Sequence, residues 1–206
     1  NNPAAIEAVD LAATWVGTIS PPGVTGFGEE DARGVWQAGN AAFMRNWPYA
    51  YSLGQADDSP IKDLFDVSPL PAGASGSGSA TLGGWQLAVS KYSAHPEIAV
   101  DLALFMASYA EQKVRAIEGS FNPTIMSLYE DADVLEATPF FGSLYDVFIN
   151  AVARPSTATA PNYTPTSTLF YNAVHSVLTG ETDASAAFEE LVLDMQDLLG
   201  FEVGEP

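Results

Sequence analysis

Residues 81–90 read Thr-Leu-Gly-Gly-Trp-Gln-Leu-Ala-Val-Ser, and what stands on either side of them decides the fold class. Gln86 to Ser90 has the composition of a strand. Pro96 then suits the first turn of a helix, and Ile98, Leu102, Phe105 and Met106 fall on one face of it at helical spacing. The paired glycines before Trp85 let backbone approach another group closely. Just upstream, 71–80 holds only Ala, Gly, Ser and Pro and reads as a flexible connection. Before it, Phe65 to Leu70 reads as another strand.

Downstream the chain is mostly helical. The pattern predicts a helix over 110–118 with Gly119 as its C-terminal cap, and shorter helices near 130–136 and 139–149. A Pro- and Thr-rich stretch, 153–165, is expected to be extended. A helix over 166–178 carries Leu169, Phe170, Ala173, Val174 and Val177 and stops at Gly180. The last, 184–199, carries Phe188, Leu191, Val192, Met195 and Leu199 behind a capping Asp183. Upstream, Ile6, Val9, Ala13 and Val16 predict a helix over 4–16, and Pro3 fits its first turn. A Gly- and Pro-rich loop, 17–28, leads to a short helix opened by Glu29-Glu30-Asp31, acids at the positive end of the dipole, and stopped by Gly39-Asn40. Ala41 to Arg45 reads as a short buried strand, Pro48 as a strand-to-helix turn, and 54–63 as polar loop. The result is a helix-rich α/β chain. Three or four short strands are too few for a sheet covered on both faces, so part of the sheet is expected from residues outside this sequence. No internal repeat is present.

Composition narrows the function. Of 206 residues, 47% are apolar, enough to drive folding. Seven Lys and Arg face 26 Asp and Glu, for a net charge of −19. Such a chain lacks the cationic surface that displaces counterions from nucleic acid, and anionic lipid heads repel it. With no cysteine, disulfides, thiolate nucleophiles and zinc–thiolate sites are excluded. Asn1-Asn2-Pro3 runs straight into a helical pattern with no leader ahead of it, which suggests the middle of a larger domain. The uncharged stretches near 67–90 and 155–174 are interrupted by Gly, Pro, Ser and Thr and do not read as membrane spans.

Enzyme signatures are missing: no G-x-S-x-G, P-loop or H-E-x-x-H motif occurs. Gly73-Ala-Ser-Gly-Ser-Gly has the wrong spacing for a phosphate loop and no Lys after it. His95, before Pro96, reads as a solvated residue at a helix start, and His175 as a structural helix residue. Glu130-Asp131 and Glu189-Glu190 read as solvated helix faces, and no facing carboxylate pair of the kind a glycosidase needs can be named. What remains is aromatic. Trp47, Tyr49 and Tyr51 cluster at one turn, and Trp85 follows two glycines. Rings on rigid turns either pack into a core or cover the C–H face of a sugar while their N–H or O–H bonds a hydroxyl; their place beside Pro48 and Gly83-Gly84 favours a cleft. Arg154, in Ala153-Arg154-Pro155-Ser156, fits equally well a surface ion pair and a donor to sugar hydroxyls.

Four segments carry a resemblance: Gly39-Asn-Ala-Ala-Phe-Met-Arg-Asn-Trp-Pro-Tyr49, Leu82-Gly-Gly-Trp-Gln-Leu-Ala-Val-Ser90, Asn150-Ala-Val-Ala-Arg-Pro-Ser156 and Phe170-Tyr-Asn-Ala-Val174. Together, in this order over nearly the whole chain, they resemble the C-terminal half of family 1 extracellular solute-binding proteins, of the trehalose/maltose-binding kind. The resemblance implies a helix-rich portion of a two-lobed periplasmic-binding-protein type II fold whose N-terminal half is absent. It implies that 1–64 and 141–206 belong to a C-terminal lobe and 71–135 to an N-terminal lobe, with crossings at 65–70 and 136–140. It implies a receptor for an ABC importer, periplasmic or extracellular or lipid-anchored, that captures a neutral di- or oligosaccharide by cleft closure and meets permease subunits and the missing half of the fold. Ligand contacts are expected from Trp47 and Tyr49 on one side, Gly84 and Trp85 on the other, and Arg154; no catalytic residue, metal or cofactor is expected. The alternatives are a carbohydrate-active hydrolase and a helical protein-interaction module.

Overall fold

Side-chain caps account for where four of the helices begin. The computed structural model describes residues 2–73, 76, 78–202 and 204; of the expected flexible connection at 71–80, Ala74, Ser75 and Ser77 lie outside these. Among the described residues there are nine α-helices: α1 (Pro3–Trp15), α2 (Glu29–Gln37), α3 (Ala50–Gly54), α4 (Pro96–Met106), α5 (Tyr109–Gly119), α6 (Ala132–Ala137), α7 (Phe141–Ile149), α8 (Tyr163–Leu178) and α9 (Ala184–Leu199). Asn2 Oδ1 accepts from the Ala4 N–H at 2.9 Å to open α1. Ser108 Oγ accepts from Glu111 N–H in α5, Asp131 Oδ1 from Asp133 and Val134 in α6, and Asp183 Oδ1 from Ala186 in α9, as expected of a cap. At the other end, Gly39 and Gly180 take φ of +78° and +76°, the left-handed conformation that ends helices at least cost on glycine.

The chain forms two compact units, 1–32 with 155–206, and 33–154. In the first, α1, α8 and α9 pack on one another. Val177, Ala184 and Ala187 are buried there against Ile6, Val9, Ala13 and Ala173, so the apolar positions expected at helical spacing are the ones that meet. The ends of the helices are tied by polar bonds: Ala184 N–H to Asp10 Oδ1 at 3.4 Å, Asn162 Nδ2 to Leu198 O at 3.2 Å. The His175 ring reaches the Thr25 carbonyl at 3.2 Å, a structural contact for this exposed histidine.

The second unit is organised by aromatic rings. Ala116, Leu128, Tyr129, Val134, Phe140 and Phe141 form its buried centre, with Ile117, Leu135, Leu144 and Phe148 against them. A file of ring contacts runs from Trp36 to Phe65 at 4.7 Å, on to Tyr51 at 5.5 Å and from there to Phe140 at 4.8 Å. Gly54 is buried in this file; a Cβ there would lie 2.7 Å from both Phe65 and Trp36, so α3 fits only with a bare backbone at that point.

Four expectations are corrected. The predicted strands at 41–45, 65–70 and 86–90 are not strands. The described residues contain only two isolated bridges, Val16–Ser20 and Thr81–Val152. A strand is defined by its partner, and these stretches find none in this chain. Nor is 41–45 buried: Phe43 is 94% exposed. The 153–165 stretch is not extended, because Thr159 turns it, donating both its N–H (3.1 Å) and its Oγ1–H (2.8 Å) to the Pro155 carbonyl. Pro165 then sits in the first turn of α8, where a missing N–H costs nothing. Gly119 is the last residue of α5 and not its cap; Ser120 takes the left-handed turn at φ 52°. Tyr51, grouped with Trp47 and Tyr49 from sequence, belongs to the core. By contrast α4 forms where expected, yet Ile98, Leu102 and Phe105 are exposed on it.

Candidate functional site

The site grows from three short pieces of the 33–154 unit. The first is the turn before α3. Asn46 Oδ1 accepts from the Trp47 N–H at 2.7 Å, and the Trp47 and Pro48 carbonyls accept from Ala50 and Tyr51 at 3.1 and 2.9 Å. Pro48, with φ fixed by its ring, holds Trp47 and Tyr49 on a closed turn in which both are half-buried. The second is 80–85. Val152 donates its N–H to Ala80 O, and Leu82 donates to Val152 O, each at 2.8 Å. This parallel bridge anchors the third piece, 150–154, where α7 ends. Two short bonds thus fix where Gly83 and Arg154 lie.

They bring Gly83 onto the indole of Trp47. A Cβ at Gly83 would stand 2.9 Å from Trp47 Cη2 and 3.5 Å from Arg154 Nη2, so the indole and the guanidinium converge on one point. Among the described residues the Arg154 side chain makes no hydrogen bond or ion pair. Two residues on, Trp85 is 97% exposed. An indole is a large apolar surface to leave in water, and this one is open to a ligand.

The expected site residues therefore fall into three situations. Trp47 and Arg154 come together at Gly83, and Trp85, two residues after that glycine, is open to solvent. Tyr49 is stacked on Phe121, ring centroids 6.5 Å apart and 16° between planes, so one of its faces is occupied. Gly84 has nothing within 4 Å of where a Cβ would be. Two residues escaped the sequence reading. Gly83 is one; the Gly-Gly pair was visible, but not which member carries the close approach. Phe121 is the other; nothing in its own neighbourhood of sequence distinguishes it. No group of three or more metal-ligating side chains occurs among the described residues, and no helix there is long and apolar enough to cross a membrane.

Comparison with known proteins identifies the family. The sequence model of the bacterial extracellular solute-binding protein family matches residues 1–113. A "probable ABC transporter-binding protein" of Deinococcus radiodurans is 54% identical over 93% of this chain and 46% of its own length. The maltose-bound structure of T. maritima MalE3 superposes with a TM-score of 0.90 at 42% identity, over 96% of this chain and 51% of that one. The chain thus spans about half the length of the relatives it matches. With more than half of its residues inside the family model, the chain belongs to the bacterial extracellular solute-binding protein family.

Proposed function

We propose that this chain carries part of the binding site of a saccharide receptor for an ABC importer, with residues from both lobes. The ligand is a neutral di- or oligosaccharide of the maltose or trehalose kind, and the receptor works outside the cytoplasmic membrane, in the periplasm or tethered by a lipid. The observation that carries the reading is the convergence of Trp47 and Arg154 at Gly83. An indole offers a flat apolar face for the C–H side of a pyranose, and a fixed guanidinium beside it donates several hydrogen bonds to hydroxyls. The maltose-bound relative and the transporter-binding relative support the ligand class and the partner.

The lobe division, 1–64 and 141–206 against 71–135 with crossings at 65–70 and 136–140, is part of the proposal. A saccharide touching residues of both lobes stabilises the closed form, because only that form contacts it from both sides. Permease subunits then read the closed shape. No bond is broken.

Titration of the intact protein with maltose, trehalose, sucrose and glucose, followed by calorimetry and tryptophan emission, tests the reading. At least one disaccharide is expected to bind and to shift the emission of the exposed Trp85. Trp85→Ala and Arg154→Ala are each expected to weaken binding by about 1–3 kcal/mol. Absence of binding by every disaccharide would refute the receptor, and unchanged affinity in both variants would remove these side chains from the site.

A further inference from the structure

We infer that Gly83 is the positioning residue of the saccharide site: the lack of a side chain there is what allows the Trp47 indole and the Arg154 guanidinium to share one subsite. This rests on the receptor reading above. Glycine is usually explained by backbone freedom, and that explanation fails here. The glycines with φ in the left-handed region are 17, 39, 76, 180 and 200; Gly83 is not among them, so its backbone would accept alanine. Space is the constraint. A Cβ would sit 2.9 Å from Cη2 of Trp47, closer than carbon atoms pack, and 3.6 Å from Cζ3, in ordinary contact.

Something would have to move, and the surroundings decide what. The backbone at 80–82 is clamped to Val152 by two 2.8 Å hydrogen bonds, which a retreat of that backbone would strain. Arg154 is long and exposed, and at 3.5 Å from the Cβ position it is in ordinary contact. The indole is the part under compression. It would swing away from Arg154, separating the stacking face from the donor that reads the hydroxyls beside it. The same substitution one residue later, at Gly84, meets open space. The Gly-Gly pair is therefore not a generic flexible joint; its first member is a seat for Trp47.

Steric seating has a signature that simple loss of a contact lacks: it disappears when the seated ring is shortened. Phenylalanine has no atoms where Cη2 and Cζ3 of Trp47 lie. Affinity for maltose, or for whichever disaccharide binds the wild type, is measured by calorimetry on the intact protein and on Gly83→Ala, Trp47→Phe and the double variant. Gly83→Ala is expected to weaken binding about tenfold when Trp47 is present, and less than about twofold in the Trp47→Phe background. An equal factor in both backgrounds, or none in either, overturns the seat while leaving the receptor standing. A wild type that binds no saccharide overturns the receptor and this inference with it. Thermal unfolding of the four proteins guards the comparison. If Gly83→Ala alone does not fold, the double variant is expected to fold; if it does not, steric compression by Trp47 is not the cause and the inference falls. In a background with Trp15, Trp36 and Trp85 changed to Phe, Trp47 is the one tryptophan of these 206 residues; the change in acrylamide quenching on adding Gly83→Ala then reports on its ring and is expected to be a rise, and an unchanged quenching constant contradicts displacement of the ring.

Discussion

Ser120 holds φ at 52° and is 1% exposed, a left-handed, buried position filled by a residue with a Cβ. Its hydroxyl has no hydrogen-bond partner among the described residues. Both features cost stability: the left-handed region about 1–2 kcal/mol for a side chain that clashes with the next carbonyl, and a buried hydroxyl without a partner about 1–3 kcal/mol. Why serine and not the preceding glycine makes the turn is visible in Gly119, where a Cβ would fall 2.6 Å from the ring of Phe121. The one residue without a side chain is used for the ring, and the turn falls to its neighbour. Ser120→Gly is expected to raise stability by about 1 kcal/mol or more in urea unfolding, after the extra flexibility of the unfolded chain is subtracted; a loss would show that the hydroxyl is engaged. The same logic shows what sequence can and cannot supply at this scale. Residue type alone nominates Trp47, Trp85 and Arg154, because an exposed indole or a rare arginine has few inexpensive uses. It cannot separate Gly83 from Gly84, or Tyr49 from Tyr51, because the difference lies in what another part of the chain places against each.

Helices are written locally and strands are not. Asn2, Ser108, Asp131 and Asp183 cap within three residues of themselves, so the starts of α1, α5, α6 and α9 are legible in a short window. A strand at 86–90 needs a partner whose address no window contains, and among the described residues 86–90 finds none. The packing of α5 on α6 sits between these cases, since it depends on side chains about twenty residues apart. Lys113 Nζ lies 2.8 Å from Asp131 and 2.6 Å from Asp133, and Tyr109 donates to Asp131 at 3.0 Å. The lysine holds the Asp131 carboxyl below its ordinary value of 3.8 and is itself pushed up by the same bond. A carboxyl lowered on folding stabilises the protein above its unfolded pKa and loses that contribution as pH falls through the folded one. Lys113→Met removes the partner. The stability gap between wild type and Lys113→Met is therefore expected to be constant from pH 5 to 8 and to shrink as pH is taken below 3.8. Melting curves of both proteins at pH 7 and pH 3 check it, and a gap that widens in acid would mean the lysine acts through its aliphatic packing.

At the scale of the molecule the dominant fact is charge. With seven basic residues against 26 acidic ones, pairing can neutralise only a minority of the carboxylates; ion pairs among the described residues include Lys62 with Asp57, Lys113 with Asp131 and Asp133, and Arg115 with Glu111. An exposed pair such as Lys62 with Asp57 contributes little, whereas the repulsion among unpaired carboxylates is summed over the whole surface. It also bears on the site. On the proposed receptor reading, a neutral saccharide feels no long-range attraction to or repulsion from a chain of net charge −19, while an anionic solute would be repelled. Salt separates the two kinds of electrostatics because it weakens both: screening of ion pairs destabilises, screening of repulsion stabilises, and here the second is the larger. Raising NaCl from about 10 mM, where the screening length is about 30 Å, to about 0.5 M, where it is a few Å, is expected to raise the apparent melting temperature by about 2–5 °C. The affinity for a neutral disaccharide is expected to change by less than about twofold over the same range, since no ion is displaced on binding. A melting temperature that falls with salt would put the few ion pairs above the many unpaired acids, and a steep loss of affinity would mean the ligand carries charge.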